Sequence, residues 1–498
     1  MNSPLKSLEQ WQFDHRYLEL PSEFYDLCTP VALKNAHLVS ASDEVAALLE
    51  LHPDQLGRDD FVALLGGERP LAGMRPAAMC YAGHQFGHYV PRLGDGRALL
   101  LGQVKTSRGG RWDLHLKGSG PTRYSRGSDG RAVLRSSIRE YLCSEAMAGL
   151  GIPTTRALCL IGSDEPVYRE RREPGAMVVR VAQSHIRFGS FEYCYYNGQH
   201  DNLRRLADYV IEHHYPELAV AENRYAALLH EVARRTAALI AQWQRVGFAH
   251  GVMNSDNMSI LGLTLDYGPF GFLDTYQAGY ICNHSDHQGR YAFDRQADIG
   301  LFNISCLAQA LVPLLADDKT VAVEIAKSSF ESYRTAHRQH YEAMFRAKLG
   351  LLDRSEADEA LWQALLALME KQADFTRFFR ALSRFNRHEI DGNQVLRDMF
   401  SDAAAFDGWA EMYAQRLAQE QSDDAARRQR MERANPKYVL RNYLAEAAIR
   451  KAEDEGDYSE VARLLALLRR PYDEQPQREA YAAPPPASAQ SIAISCSS

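Results

Sequence analysis

Hydrophobic positions change their period along this chain. From Trp112 to Lys117 they alternate strictly, with Trp112, Leu114 and Leu116 on one face and Asp113, His115 and Lys117 on the other, the pattern of a half-buried strand. Upstream, YVPRL, GDGR and ALLLGQV read as strand, glycine turn, strand, and ALCLIG and AMVVRVA are further strand candidates. A helix is expected over roughly 132–150, because Leu134, Ile138 and Leu142 repeat at i, i+4 and Gly151 with Pro153 supplies a stop. Beyond about residue 202 the period becomes helical: YAALLHEVARRTAALIAQWQRVG is a long amphipathic helix, and residues 308–468 read as several more. Residues 1–85 mix short helical patterns with loops, and no internal repeat is visible. The PPP and Ala/Ser stretches of residues 472–498 have the composition of a mobile tail.

Composition narrows the classes. The 498 residues are 46% hydrophobic and 24% charged, an ordinary globular balance with room for two or three packed units. Net charge is −7, from 57 basic and 64 acidic residues, and this mild acidity gives no sign of nucleic-acid or membrane binding. The N-terminus has no apolar core behind a basic start, and no uncharged apolar run approaches the roughly 20 residues of a membrane helix, so a cytoplasmic location is expected. Cys28, Cys80, Cys143, Cys159, Cys194, Cys282, Cys306 and Cys496 are scattered without a C-x-x-C pair. That argues against a disulfide framework or a structural zinc site, and most should be buried apolar side chains.

Three constellations carry chemistry. In Gly94-Asp95-Gly96-Arg97 the glycines let backbone N–H groups approach phosphates and Arg97 adds positive charge, although D-G is also a common hairpin dipeptide. Lys117 at a strand end and Glu140 on the next helix have the order in which a kinase holds its ATP lysine by an ion pair, although a surface lysine and a solvated glutamate fit the same spacing. HGVMNSDN (250–257) is followed by MSILGLTL, read as an apolar strand, and then by Asp266-Tyr267-Gly268. Asn257 and Asp266 are oxygen donors of the kind a hard Mg²⁺ takes beside phosphate and water. Glycine loop, Lys, helix Glu, catalytic loop and D-Y-G together give the order of a protein kinase.

The expected fold is therefore α+β and protein-kinase-like, with a sheet-rich N-lobe and a mainly helical C-lobe bearing extra C-terminal helices. The expected organisation is an N-terminal extension packed on the core (1–85), an N-lobe (86–200), a helical C-lobe with the catalytic loop and metal site (201–470), and a flexible tail with Cys496 (471–498).

Laid on the kinase pattern H-R-D-L-x-x-x-N, His250 and Asn257 match, but Val252 stands where the catalytic aspartate belongs. Valine cannot accept a proton, and the only carboxylate in the window is Asp256. Either the chain is inactive, or chemistry occurs at a different place on the nucleotide with Asp256 as base. Arg180 and Arg187, near the expected inter-lobe hinge, suit polyphosphate recognition where an ordinary kinase needs no arginines.

The chain resembles the selenoprotein O family, pseudokinases that act as protein adenylyltransferases. The resemblance spans roughly residues 75–470 and rests on long strings: YAGHQFGHYVPRLGDGRA, LHLKGSGPTRYSRGSDGRAVLRSSIREYLCSEAM, HGVMNSDNMSILGLTLDYGPFGFLD and NPKYVLRNYLAEAAI. It implies that ATP binds in a reversed orientation and that AMP passes to Ser, Thr or Tyr hydroxyls of proteins as pyrophosphate leaves. By matching residue, it implies that Gly94, Gly96, Arg97, Lys117, Asp129, Gly130, Arg180, Arg187 and Asp266 bind nucleotide, and that Glu140 pairs with Lys117. Asn257 and Asp266 would hold Mg²⁺ or Mn²⁺, and Asp256 would be the base. Family members carry a selenocysteine or cysteine near the C-terminus. Here that residue is Cys496, which implies a redox pair, with Cys282 as the expected partner. Two alternatives stay open at this point: phosphoryl transfer with a substitute base, and a catalytically inactive, nucleotide-binding redox sensor.

Overall fold

The computed structural model describes residues 5–420, 422–487, 489, 492 and 494. Its main sheet runs in the order Tyr25–Leu27, Ala77–Met79, Ala98–Lys105, Arg111–Lys117, Arg172–Ala182, Arg156–Tyr168 and His37–Ala41, every neighbour antiparallel. Gln12–Asp14 adds to Ala98–Lys105, and Ala132–Val133 to Arg172–Ala182. The first 85 residues, expected as an extension packed on a core, thus supply strands to the sheet itself. They cover strand edges whose backbone groups would otherwise lack partners.

Two expectations for the sheet change. The strand Arg111–Lys117 is buried on both faces, not half-buried: Leu114 and Leu116 enter one apolar cluster, while Asp113 and His115 are 3% and 1% exposed. The polar face is sealed by pairing. The rings of His115 and His185 stack at 4.3 Å, His115 bonds Asp95 at 3.0 Å, and His185 bonds Asp113 at 3.1 Å. Second, Gly94–Arg97 does not turn between paired strands. His88–Val90 pairs with Gly83–Gln85 as a separate hairpin, and the glycine turn runs from there to Ala98–Lys105. Asp95 anchors this turn, taking the Met79 N–H on its carboxylate at 3.1 Å and giving its own N–H to the Met79 carbonyl at 2.9 Å.

The helix expected over 132–150 forms as Leu134–Gly149, its first two residues being taken by the strand Ala132–Val133. The segment MSILGLTL is not a strand. It is a tight loop closed by one antiparallel bridge between Met258 and Thr264, with further bridges from Ser259 to Arg187 and Thr264 to Thr154. Its apolar residues Met258, Ile260, Leu261 and Leu265 are buried, so apolarity there reports depth and not extension.

The long amphipathic helix spans Arg224–Arg245 and starts where the Asn223 side chain accepts the Ala226 N–H at 3.0 Å. Its buried residues Leu228, Leu229, Val232, Thr236, Leu239, Ile240 and Trp243 recur at helical spacing. They face Gln296–Leu315 and Lys319–Leu349. The segment Phe293–Leu315 is long and apolar enough to cross a membrane, but 61% of its most apolar window is buried inside the protein. The tail expected to be mobile is docked over residues 474–483. Lys437 bonds Glu474 and Glu479 at 2.5 Å each, and the Tyr481 hydroxyl donates to Glu460 at 2.6 Å. Hydrogen bonds from Arg380 and Lys437 pull the Glu474 carboxyl down to about 2.

Burial keeps several histidines neutral, lowering His185 to about 3 and His214, His250 and His337 to about 4. Unfolded, each protonates near 6.5. Below that pH the unfolded chain binds more protons than the folded one, so stability is full above about pH 7 and falls as pH drops from 6.5 toward 4. The expected loss is up to about 1.4 kcal/mol per pH unit for each histidine, read as a lower urea midpoint at pH 5 than at pH 7.5. His337→Gln should shrink the slope.

Candidate active site

The catalytic loop and the glycine turn face each other across a cleft of about 390 Å³. The cleft is lined by Gly94, Gly96, Arg97, Lys117, Arg180, Arg187, Val252, Asp256, Asn257 and Asp266, among others. A larger groove of about 720 Å³ is walled by Arg377, Arg380, Arg384 and Lys437 among others, and none of the cleft residues lines it.

The loop is fixed at its base. Buried His250, held neutral, accepts the Val252 N–H on Nδ1 at 3.3 Å. The Val252 carbonyl accepts from Asn257 Nδ2 at 2.9 Å, which uses the donor end of the Asn257 amide and leaves its oxygen as the available ligand atom. Asn254 Oδ1 takes the Phe86 N–H at 3.2 Å and the Tyr291 hydroxyl at 2.5 Å, and Ser255 Oγ takes the His84 N–H at 2.7 Å.

The hairpin carrying Gln85 presses on Asp256. A Cβ at position 83 would lie 2.8 Å from the Asp256 Cβ, so glycine is what permits this approach. Gln85 Nε2 donates to Asp256 Oδ2 at 3.2 Å, while Oδ1 is buried with no partner among the described residues. Burial pushes the Asp256 carboxyl up to about 7, against the pull of Arg187 and Gln85. A carboxyl poised near neutrality, with one oxygen uncommitted, has the properties of a general base.

Cations converge on Asp266. Arg180, standing across from His115 in the sheet register, reaches Asp266 at 2.6 Å and Glu140 at 3.3 Å. Arg187 pairs with Asp266, donates to the Asp256 carbonyl at 2.8 Å, and lies over the Tyr81 ring at 4.7 Å. Lys117 bonds Glu140 and stands 4.0 Å from Asp266. Burial opposes ionisation of Asp266, but Arg187, Arg180 and Lys117 hold its carboxyl well below the ordinary range. Lys117 is itself lowered by burial, against the pull of Glu140. With Arg97, the cations of this cluster outnumber Glu140 and Asp266, a surplus suited to polyphosphate. Asn257 and Asp266 both line the cleft and each offers an oxygen donor, which fits a hard divalent cation.

Gly94 adopts φ +70°, and a Cβ there would overlap the Tyr124 ring at 2.3 Å. Asp129 and Gly130 fall outside the cleft lining. Asp129 holds Arg169 through two bonds of 2.8 Å, and the loop faces the cleft with Tyr124, Ser125, Arg126 and Ser128 instead. Cys282 is buried, its thiol donating to the Pro269 carbonyl at 2.8 Å. Cys496 lies outside the described residues, while Ile494 accepts the His284 N–H at 2.9 Å. Sequence reasoning missed Tyr81, Gln85, His115 and Tyr124 as cleft residues. The first two lie in or beside the string YAGHQFGHYV, whose density of Gly, His and Gln was the available signal.

The family model described as "Protein adenylyltransferase SelO" matches residues 7–469. Curated relatives include proteins named protein nucleotidyltransferase YdiU. That of Thioalkalivibrio sulfidiphilus is 57% identical over 99% of this chain and 100% of its own length. Those of Myxococcus xanthus and Thiobacillus denitrificans are 55% and 53% identical with the same coverage.

Asp266→Ala would leave the side chains of Arg180 and Arg187, 2% and 5% exposed, without their shared carboxylate. The protein without nucleotide should lose about 3 kcal/mol in urea unfolding, and adding Arg187→Met should restore part of it.

Proposed function

We propose that this chain, which belongs to the SelO family of protein adenylyltransferases, transfers AMP from ATP to Ser, Thr or Tyr hydroxyls of proteins and releases pyrophosphate. The observation that carries the reading is the pairing of a lost base with added cations. Val252 lines the cleft where a kinase base would stand, while Arg180 and Arg187 join Lys117 around Asp266.

Arg97, Lys117, Arg180 and Arg187 would bind the triphosphate, with Gly94 and Gly96 admitting it close to the backbone. Asp129 and Gly130 belong to this set only if the loop they sit in closes on the nucleotide. Glu140 holds Lys117 and Arg180 in place. Asn257 and Asp266 would hold Mg²⁺ or Mn²⁺, which supplies charge neutralisation for the phosphates when bound. Asp256, oriented by Gln85, takes the proton of the attacking hydroxyl. The hydroxyl oxygen bonds to the α-phosphorus, the bond from that phosphorus to the bridging oxygen breaks, and pyrophosphate carries the electron pair away.

Label from the α-phosphate should stay on protein and label from the γ-phosphate should not; the reverse pattern would make the enzyme a kinase. Asp256→Asn should cut the rate by about 10²–10⁴-fold while nucleotide still binds, and unchanged modification would remove Asp256 from the role of base.

A redox restraint fits the same fold. The hydrogen bond between His284 and Ile494 brings the tail to the segment that carries Cys282. Oxidation of Cys282 and Cys496 to a disulfide, with two electrons and two protons passing to an oxidant, would tie the tail beside the D-Y-G turn. Non-reducing mass spectrometry after mild oxidation should find the 282–496 cross-linked peptide, and its absence would end this reading.

A further inference from the structure

The hairpin that delivers Gln85 to Asp256 has a second side chain with its own partners. His84 points to Glu192 on the helix Phe188–Tyr196, and Cys306 approaches both from Gln296–Leu315. One ligand atom of each residue lies within 4.8 Å of the other two. Glu192 is fully buried and Cys306 is 5% exposed, while the His84 side chain keeps 13% of its surface, an entry path from solvent.

This cluster is incompletely satisfied. Glu192 Oε2 bonds His84 Nδ1, but Oε1 is buried with no partner among the described residues, and the buried hydroxyl of Tyr89, whose ring packs on His84, has none either. A buried carboxylate oxygen without a partner keeps its full desolvation penalty, so natural folds rarely leave one. Cys306 brings a sulfur donor within 4.8 Å of the His84 and Glu192 ligand atoms, so a single cation could meet all three. The ring of His84 is walled by Tyr89, Tyr196 and Phe302 at centroid distances of 5.4, 6.0 and 5.9 Å, which restricts its orientation.

We propose that His84, Glu192 and Cys306 form a binding site for a transition-metal dication of the zinc class, separate from the nucleotide-bound metal. One imidazole nitrogen, one carboxylate oxygen and one thiolate sulfur are a borderline-soft set that suits Zn²⁺ and disfavours Mg²⁺. Tetrahedral binding at about 2.0–2.3 Å per ligand needs donors roughly 3.3–3.8 Å apart, reachable from the present spacing by small side-chain rotations. On binding, the Cys306 thiol releases its proton to solvent and the fourth position goes to water. The ion clamps the hairpin Gly83–Val90 to two helices and so fixes the backbone that carries Gln85. Cysteine spacing could not show this site, because its ligands come from three elements that lie more than a hundred residues from one another along the chain.

The test uses full-length protein stripped with a chelator and titrated with Co²⁺, then with Zn²⁺. The expected result is about one Co²⁺ per chain with a thiolate-to-cobalt charge-transfer band, displaced by Zn²⁺. The band should be lost in Cys306→Ser and His84→Ala, and kept in Asp266→Asn, which alters the nucleotide site. No band in the wild-type protein at a large excess of Co²⁺, or a band that survives Cys306→Ser, would overturn the proposal. The wild-type titration decides the matter even if a variant fails to fold.

Discussion

The structure turns on the ion pairs around Asp266. Arg180 comes from the sheet, Arg187 from the turn that leaves it, Lys117 from the neighbouring strand, and Asp266 from the end of the catalytic segment. One carboxylate therefore ties the sheet-rich region to the helical one through charges removed from water. Removing either sign alone would strand the other in a low-dielectric interior. The surplus of positive charge is held in reserve by the same geometry, since Glu140 and Asp266 cannot neutralise every cation in the cleft. On the proposed reading, polyphosphate would complete a charge balance that the protein leaves open.

Much of this was legible in the sequence because kinase-like chemistry is ordered along the chain. The strand ending at Lys117, the helix bearing Glu140, and the spacing from His250 to Asn257 all follow from local pattern. What escaped was set by tertiary burial. Asp113 and His115 read as a solvated face, yet they are sealed inside by Asp95 and His185 from distant segments. MSILGLTL read as a strand because apolarity signals depth as strongly as extension, and nothing local separates the two. Gln85 carries no periodic signal at all. Its importance comes from a close approach that Gly83 permits, a fact of three-dimensional packing.

The C-terminal region shows the same limit from the other side. Pro- and Ala-rich composition predicts chain freedom, but Lys437 and Arg380 capture Glu474, and Glu460 receives Tyr481. Charged residues flanking a low-complexity stretch can dock it, and composition averaged over a window hides them.

The strand pairing also dictates an order of assembly. His37–Ala41 pairs with residues 159–162, and Gln12–Asp14 with residues 103–105. During synthesis these N-terminal strands leave the ribosome well before their partners exist. Contacts of such sequence separation are slow to form, and unpaired strand edges invite association between chains. These strands thus wait until residues 103–105 and 159–162 have been made, and the young chain must keep them from pairing with other chains until the sheet arrives to receive them.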